Sequence, residues 1–243
     1  RFTIIKDIPY DRPKTSMADF PLCDDCRDEY DNPLDRRFHA QPVACEFCGP
    51  HIWYTENGER LGEKEGALFL ARKAIKAGKV IAVKGLGGFH IACDASNTEA
   101  LQKLRERKRR SEKPFALMSF DTETVKKYCV VTTKEEELLT SRKRPILLLK
   151  KKPGIVLPEE IAPRQTSLGF MLPYTPLHYL LLEPQDDFPD VLVMTSGNMS
   201  EEPIAYQDDD AINRLTPLVD GFLMHNRPIF MRVDDSVTRV VNE

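Results

Sequence analysis

Four cysteines, Cys23, Cys26, Cys45 and Cys48, stand in a C-x2-C-x18-C-x2-C frame, and no other feature restricts the possible folds of this chain as strongly. Each C-x-x-C turn delivers two sulfurs from one tight loop, and four thiolates at this spacing meet the tetrahedral preference of a structural zinc. Gly49 and Pro50 close the second turn. A redox or disulfide pairing is the competing reading. Against it, Cys93 and Cys129 lie apart in apolar surroundings and the chain carries no secretory signature. A four-thiolate set leaves no open coordination position, so the expected Zn2+ holds a small fold together and does no chemistry. The first landmark is therefore a zinc finger over residues 23–50.

Within 243 residues there is room behind the finger for one larger domain. No apolar run approaches the roughly 18 residues of a spanning helix. A net charge of −3 gives no global basic excess, so any nucleic-acid surface would have to be local. Reduced thiols and the lack of a signal peptide point to the cytoplasm. The chain opens at Arg1 with a strand-like RFTII and reads as a piece of a longer protein. Residues 1–22, with Pro9, Pro13 and Pro21, read as an irregular connector, and Asn57-Gly58 and Gly62 mark a second join near 56–62.

Beyond that join, Ala67, Leu68, Leu70, Ala71, Ala74 and Ile75 recur at helical spacing up to a terminator at Gly78. Short strands are expected over 79–83, 89–93, 115–120, 145–150, 191–195 and 221–224. Helices are expected over 98–108, capped by Asn97 or Thr98, and near 121–128, 134–141, 175–183 and 208–215. Strands interleaved with helices predict an α/β or α+β domain on a twisted sheet. The longest irregular stretch, 151–173, holds four prolines and reads as a binding loop.

Four segments could carry chemistry. LRERKRRSEKPFALM, residues 104–118, crowds Arg105, Arg107, Lys108, Arg109, Arg110 and Lys113 at a helix end, and Pro114 then forces the chain out of helix. Such density is costly unless an anion answers it, although cations also complement a helix C-terminus. TSGNMSEEP, residues 195–203, sets Ser196 and Asn198 beside Gly197, which allows close approach of backbone to an anion; it is equally an ordinary turn. In VKGLGGFHIACDA, residues 83–95, Gly85, Gly87 and Gly88 lack dinucleotide-binding spacing, and a strand follows them. Lys84 and His90 there either face solvent around a hairpin or address an anionic substrate over the glycines. In MRVDDSVTRVV, residues 231–241, Arg232, Asp234, Asp235 and Ser236 precede a terminal strand. The aspartates could hold Mg2+ against phosphates or cap a turn, and taken alone the turn is preferred.

Taken together, CDDCRDEYDNPLDRRFHAQPVACEFCGP, KGLGGFHIACDA, RKRRSEKPFALM, GFMLPYTPLHYLL, TSGNMSEEPI and RVDDSVTR resemble the HypF family of hydrogenase maturation carbamoyltransferases over essentially the whole chain. From about residue 60 onward the chain is similar to the wider YrdC family of carbamoyl-adenylate and threonylcarbamoyl-adenylate synthases, whose K-x-R and S-x-N motifs match Lys108-x-Arg110 and Ser196-x-Asn198. The resemblance implies a YrdC-like twisted mixed sheet with helices over 60–243, preceded by the small four-cysteine zinc finger. Residues 1–22 become a linker after a missing first finger, with an acylphosphatase domain ahead and a transferase domain behind. The implied reaction makes carbamoyl-AMP from ATP, with Mg2+, and carbamate derived from carbamoyl phosphate. The carbamoyl group then passes to the C-terminal cysteine of the partner HypE, as a precursor of cyanide ligands. By the same resemblance Lys108 and Arg110 are catalytic. Lys108, Arg110, Lys113, Thr195, Ser196, Asn198, Arg232 and Ser236 bind the nucleotide, and Lys84 and His90 bind carbamate. Rival readings are threonylcarbamoyl-AMP synthesis for tRNA modification, a double-stranded RNA-binding module built on residues 103–113, and a finger that chiefly docks HypE or neighbouring domains.

Overall fold

Residues 4–241 are described in a computed structural model. Residues 1–3 of the strand-like opening lie outside the described ones, and Ile5 makes one isolated bridge to Thr15. The proline-rich connector that follows is fastened to the finger by Arg12, whose guanidinium donates to the carbonyls of Phe20, Gln41 and Val43 at 2.6, 2.7 and 2.7 Å. In the finger, Cys23 is the N-cap of α1 (Asp24–Asp31), so Cys23 and Cys26 share its first turn. This helix, which no sequence signal separates from the loops around it, has one buried residue, Cys26.

Among the described residues ten strands form a single mixed sheet: β1 (Ile52–Glu56), β2 (Glu59–Glu63), β3 (Ile81–Lys84), β4 (Phe89–Asp94), β5 (Ala116–Ser119), β6 (Ile146–Lys150), β7 (Ser167–Met171), β8 (Val191–Ser196), β9 (Gly221–His225) and β10 (Val237–Thr238). Their order is β10-β6-β7-β5-β8-β4-β3-β9-β1-β2. The pairs β5/β7, β3/β9 and β6/β10 are parallel and the rest antiparallel. Alternation sorts the strands onto two faces. Phe89, Ile91, Cys93, Val191 and Val193 pack beneath α3 (Thr98–Arg107), α4 (Thr122–Tyr128), α5 (Thr133–Thr140) and α7 (Asp208–Leu215). Ala92, Leu192 and Met194 pack beneath α2 (Lys64–Lys76) and α6 (Pro176–Leu182). The helix ends follow sequence chemistry. The Asn97 side chain accepts from Ala100 N at 3.0 Å, Thr132 and Glu135 form a capping box, and α2 runs out at Gly78, whose φ is 75°.

Three expectations change. The stretch 151–173 is not one loop, because Ser167–Met171 forms β7 between β5 and β6. Flanking prolines and the central Gly169 obscure its period, yet Leu168 and Phe170 are buried, and a Cβ on Gly169 would lie 3.0 Å from Ile146 of β6. The join at 56–62 belongs to a hairpin of the sheet, with Asn57 and Gly58 at φ 51° and 81° making its turn. The terminal strand after Ser236 shrinks to the two residues of β10.

Candidate functional site

Sheet register gathers the site. Ser196 at the end of β8 pairs with His90 at the start of β4, His90 pairs with Val83 of β3, and Val83 pairs with Leu223 of β9. Ser196, His90, Lys84 and His225 therefore share one rim of the sheet. The connections at this rim are knitted to one another, since Gly197 N donates to Phe89 O at 2.6 Å and Phe89 N to Ala205 O at 2.8 Å. A Cβ on Gly197 would lie 2.5 Å from Phe89 O, so the approach requires glycine.

The basic segment arrives at the rim through a helix stop. Arg109, just past α3, has φ 49°, while Arg110 N donates to Arg105 O at 2.9 Å and Arg109 N to Glu106 O at 3.0 Å. These two bonds are a Schellman motif with arginine where glycine is favoured. The reversal turns Lys108 inward. Its ammonium donates to Ser196 O at 2.7 Å and Asn198 Oδ1 at 3.2 Å, and Ser200 Oγ donates to Lys108 O at 2.8 Å. Ser196 Oγ donates to Asn198 Oδ1 at 2.9 Å. Arg110 lies alongside, donating to Thr195 Oγ1 at 3.1 Å and Pro114 O at 2.6 Å, with its guanidinium 5.0 Å from the Phe115 ring.

Among the described residues neither Lys108 nor Arg110 pairs with a carboxylate. Burial, then repulsion from Arg110 and Lys113, lowers Lys108 to about 7; burial and Arg105 lower Arg110 to about 10. Two desolvated cations held by neutral oxygens form a ready receptor for an anion. Three neighbouring cations are answered internally. Lys103 and Arg107 both reach Asp220, and Arg105 donates to backbone carbonyls, including Glu160 O at 2.6 Å.

At the glycine-rich turn both polar residues are buried, which overturns the solvent-facing reading: Lys84 is 2% and His90 3% exposed. The Lys84 ammonium meets Asp208 of α7 at 2.6 Å and His225 O at 2.9 Å. His90 Nε2 lies 2.9 Å from Asp235 Oδ2 and 3.2 Å from Tyr174 Oη. The segment carrying Asp235 crosses over the turn, with Val233 N donating to Gly87 O at 3.0 Å, and a Cβ on Gly87 would lie 2.5 Å from Val233 O. Asp235 thus neither caps a turn nor stands free for a cation. A cleft of about 620 Å³ between the finger, α2 and α6 has Gly85, Lys84, His225 and Arg227 on its floor.

Of the expected nucleotide residues, Lys108, Arg110, Thr195, Ser196 and Asn198 are joined by the hydrogen bonds above. Lys113, Arg232 and Ser236 are exposed at their positions, Ser236 accepting from Ile146 N through its carbonyl at 2.8 Å. Tyr174, His178, Asp208 and Asp220 carry no local sequence signal as functional residues, because their partners lie far away in the chain.

The four finger sulfurs all fall within 4.8 Å of one another, with Cys23 to Cys45 at 3.6 Å and Cys45 to Cys48 at 3.8 Å. Tetrahedral zinc with sulfur at ~2.3 Å requires sulfur separations of about 3.8 Å, so the cluster fits one ion. Backbone N–H groups of Cys48 and Phe47 lower Cys45 to about 6, whereas burial pushes Cys26 up to about 12. A divalent cation would let all four ionise together.

A family described as telomere recombination, Sua5/YciO/YrdC, matches residues 73–243, and the HypF finger family matches residues 22–55. The carbamoyltransferase HypF of Rhodobacter capsulatus is 50% identical over 240 residues, covering 99% of this chain and 31% of that protein. That of Synechocystis sp. is 47% identical, with coverage of 99% and 31%. The chain spans about a third of the length of these curated relatives. Among solved structures, full-length HypF in a phosphate- and nucleotide-bound form matches at 52% identity and a TM-score of 0.88, covering 97% of this chain and 30% of that one. HypF of T. kodakarensis matches at 46% and 0.91, with coverage of 100% and 31%. Sua5 of P. abyssi complexed with L-threonine, at 18% identity and 0.64 over 74% of this chain and 52% of that one, shares the fold.

Proposed function

The chain belongs to the Sua5/YciO/YrdC family and corresponds to the finger and YrdC-like portion of HypF carbamoyltransferases, and from that premise we propose that it makes carbamoyl-AMP from carbamate and ATP. A carbamate oxygen attacks the α-phosphorus, forming one O–P bond, and the bond from that phosphorus to pyrophosphate breaks. Charge gathers on the departing pyrophosphate, and positioned cations are what such a step requires. The observation that carries the reading is buried Lys108 with half-buried Arg110, neither paired to a carboxylate among the described residues, beside Ser196 and Asn198. Phosphate oxygens would replace the neutral oxygens now facing these cations and restore the full charge of Lys108. Thr195, Ser196 and Asn198 supply polar contacts, Lys113, Arg232 and Ser236 bind the outer phosphates, and Mg2+ accompanies ATP.

His90 takes carbamate at the glycine-rich turn; Lys84, at the same rim, must release Asp208 to join it. In the whole protein the carbamoyl group would pass to the C-terminal cysteine of HypE, with zinc on the four finger cysteines as a structural element. An RNA-binding role is disfavoured because Lys103, Arg105 and Arg107 are engaged within the protein.

The test is ATP-dependent pyrophosphate release, comparing fresh ammonium carbamate with threonine plus bicarbonate. Release with carbamate supports the proposal, and release only with threonine moves the chain to the threonylcarbamoyl-adenylate branch. Lys108→Ala and Arg110→Ala should abolish release in folded protein; normal release from both would remove these residues from the site.

A further inference from the structure

The loop from Gly197 to Ala205, which carries Asn198 to Lys108, is closed at its base by Ala205 N donating to Gly197 O at 2.8 Å. Ser200 Oγ fastens one side of it to Lys108 O at 2.8 Å. Within the loop the Asn198 amide is committed at both ends. Its Oδ1 accepts from Lys108 Nζ and Ser196 Oγ, while its Nδ2 donates to Glu202 O at 2.6 Å. Turned over, the amide would set its NH2 group against an ammonium and its oxygen against a carbonyl, two repulsive contacts. The orientation of Asn198 is therefore as secure as the position of Glu202 O.

That carbonyl belongs to a strained turn. Glu202 N donates to Met199 O at 3.2 Å, and Glu201 between them is left-handed at φ 67°. A residue with a Cβ resists this conformation, which persists only where the surroundings enforce it. Here α7 enforces it. Asp210 and Arg214 are four residues apart on one face of the helix, and their neighbours Ala211 and Leu215 are fully buried and fix the helix to the core. One guanidinium nitrogen of Arg214 donates to Asp210 Oδ2 at 2.9 Å. The other donates to Glu202 Oε2 at 2.9 Å and Pro203 O at 2.7 Å, so the fork grips the loop on both sides of the peptide that bears Glu202 O. The Glu202 side chain is 48% exposed, so this ion pair adds little to global stability and its effect is local.

We propose that Arg214 is a positioning residue for nucleotide binding: by gripping the Glu202–Pro203 peptide it holds the Asn198 amide with its oxygen on Lys108 and its second N–H free to meet a phosphate oxygen. Asp210 aims the guanidinium. The proposal rests on the nucleotide site of the adenylate reading. Asn198 keeps part of its surface open to solvent, and Nδ2 meets no other acceptor of the protein among the described residues. Without the fork the turn relaxes at Glu201, Glu202 O leaves Nδ2, and the amide rotates away from Lys108.

The test is a double-mutant cycle on the full chain, read by calorimetry with ATP and Mg2+ in the absence of carbamate and by pyrophosphate release in its presence. Arg214→Ala should weaken ATP binding and raise the KM for ATP by about 10-fold, with kcat and the KM for carbamate little changed. Asn198→Ala should weaken ATP binding at least as much. Added to Asn198→Ala, the Arg214→Ala change should cost less than about 2-fold more, because the group it positions is gone. Arg214→Lys keeps the charge with a single nitrogen and should recover part of the loss. If Arg214→Ala does not fold, Glu202→Ala removes one prong and should give a smaller change with the same dependence on Asn198. Losses that multiply in the cycle, or ATP binding untouched by both Arg214→Ala and Glu202→Ala, overturn the proposal. A wild type that binds ATP but releases no pyrophosphate with carbamate sinks the adenylate reading, and the binding cycle still decides the role of Arg214. A wild type that binds no ATP sinks both.

Discussion

Replacing Lys108 with methionine keeps the length of the side chain and removes its charge, and the consequence for stability can be worked out before any substrate is added. Burial brings Lys108 from 10.5 to about 7 in the fold, and the residue is 1% exposed, so solvent screening takes little from the effect. Because the folded value lies below the unfolded one, the unfolded chain holds more protons between about 7 and 10.5. Stability contributed by this residue therefore rises with pH across that window and is lowest below it. Integrating the proton difference from about pH 7 to about pH 9 gives the wild type roughly 2 kcal/mol relative to Lys108→Met. For a chain of this length that is a relative shift in Tm of about 4 to 9 °C. The lost hydrogen bonds to Ser196 O and Asn198 Oδ1 set a constant offset between the two proteins. Paired thermal or urea unfolding across pH gives the difference, in which the titrations of the finger cysteines cancel. Parallel curves would refute the reasoning, since they would mean that Lys108 keeps its ordinary proton affinity. With saturating pyrophosphate the slope should flatten, because an anion returns the proton.

Other perturbations have distinct readouts. Gly85→Ala places a Cβ 2.6 Å from Gly88 O and should end carbamate-dependent pyrophosphate release while sparing nucleotide binding, measured by calorimetry. Arg109→Gly relieves a left-handed residue at φ 49° and should stabilise the fold by roughly 1 kcal/mol in urea unfolding; a destabilised variant would contradict the helix-stop geometry. Asp220→Ala strips Lys103, Arg107 and Val80 N of their shared acceptor and should cost about 3 kcal/mol in the same assay. Purified chain should carry one zinc equivalent, and chelation should expose the four thiols to reagent while the large sheet stays folded; thiols that remain protected after complete zinc loss would argue against the metal as the fastener.

What the sequence disclosed follows the range of the interactions. The cysteine frame, the Gly78 stop, the Asn97 cap and the Asn57-Gly58 turn depend on residues a few positions apart, and their chemistry was readable in place. Strand β7 was not, because Pro163 and Pro173 bracket it and Gly169 breaks its apolar run, and only pairing with β5 and β6 makes it a strand. The basic run showed its charge but not its division of labour: Asp220, which takes Lys103 and Arg107, lies 117 and 113 residues downstream of them. Lys84 and His90 looked as if they could face water because local pattern does not register that the segment around Val233 lies over the turn. Asp235 looked like a turn residue for the same reason.

The bond between His90 and Asp235 spans 145 residues, which gives the site a history during synthesis. At ribosomal speeds of about 5 to 20 residues per second, the imidazole waits on the order of ten seconds for its carboxylate partner. Until then the glycine turn lacks its cover. The covered glycine turn is thus among the later parts of the described fold to be completed.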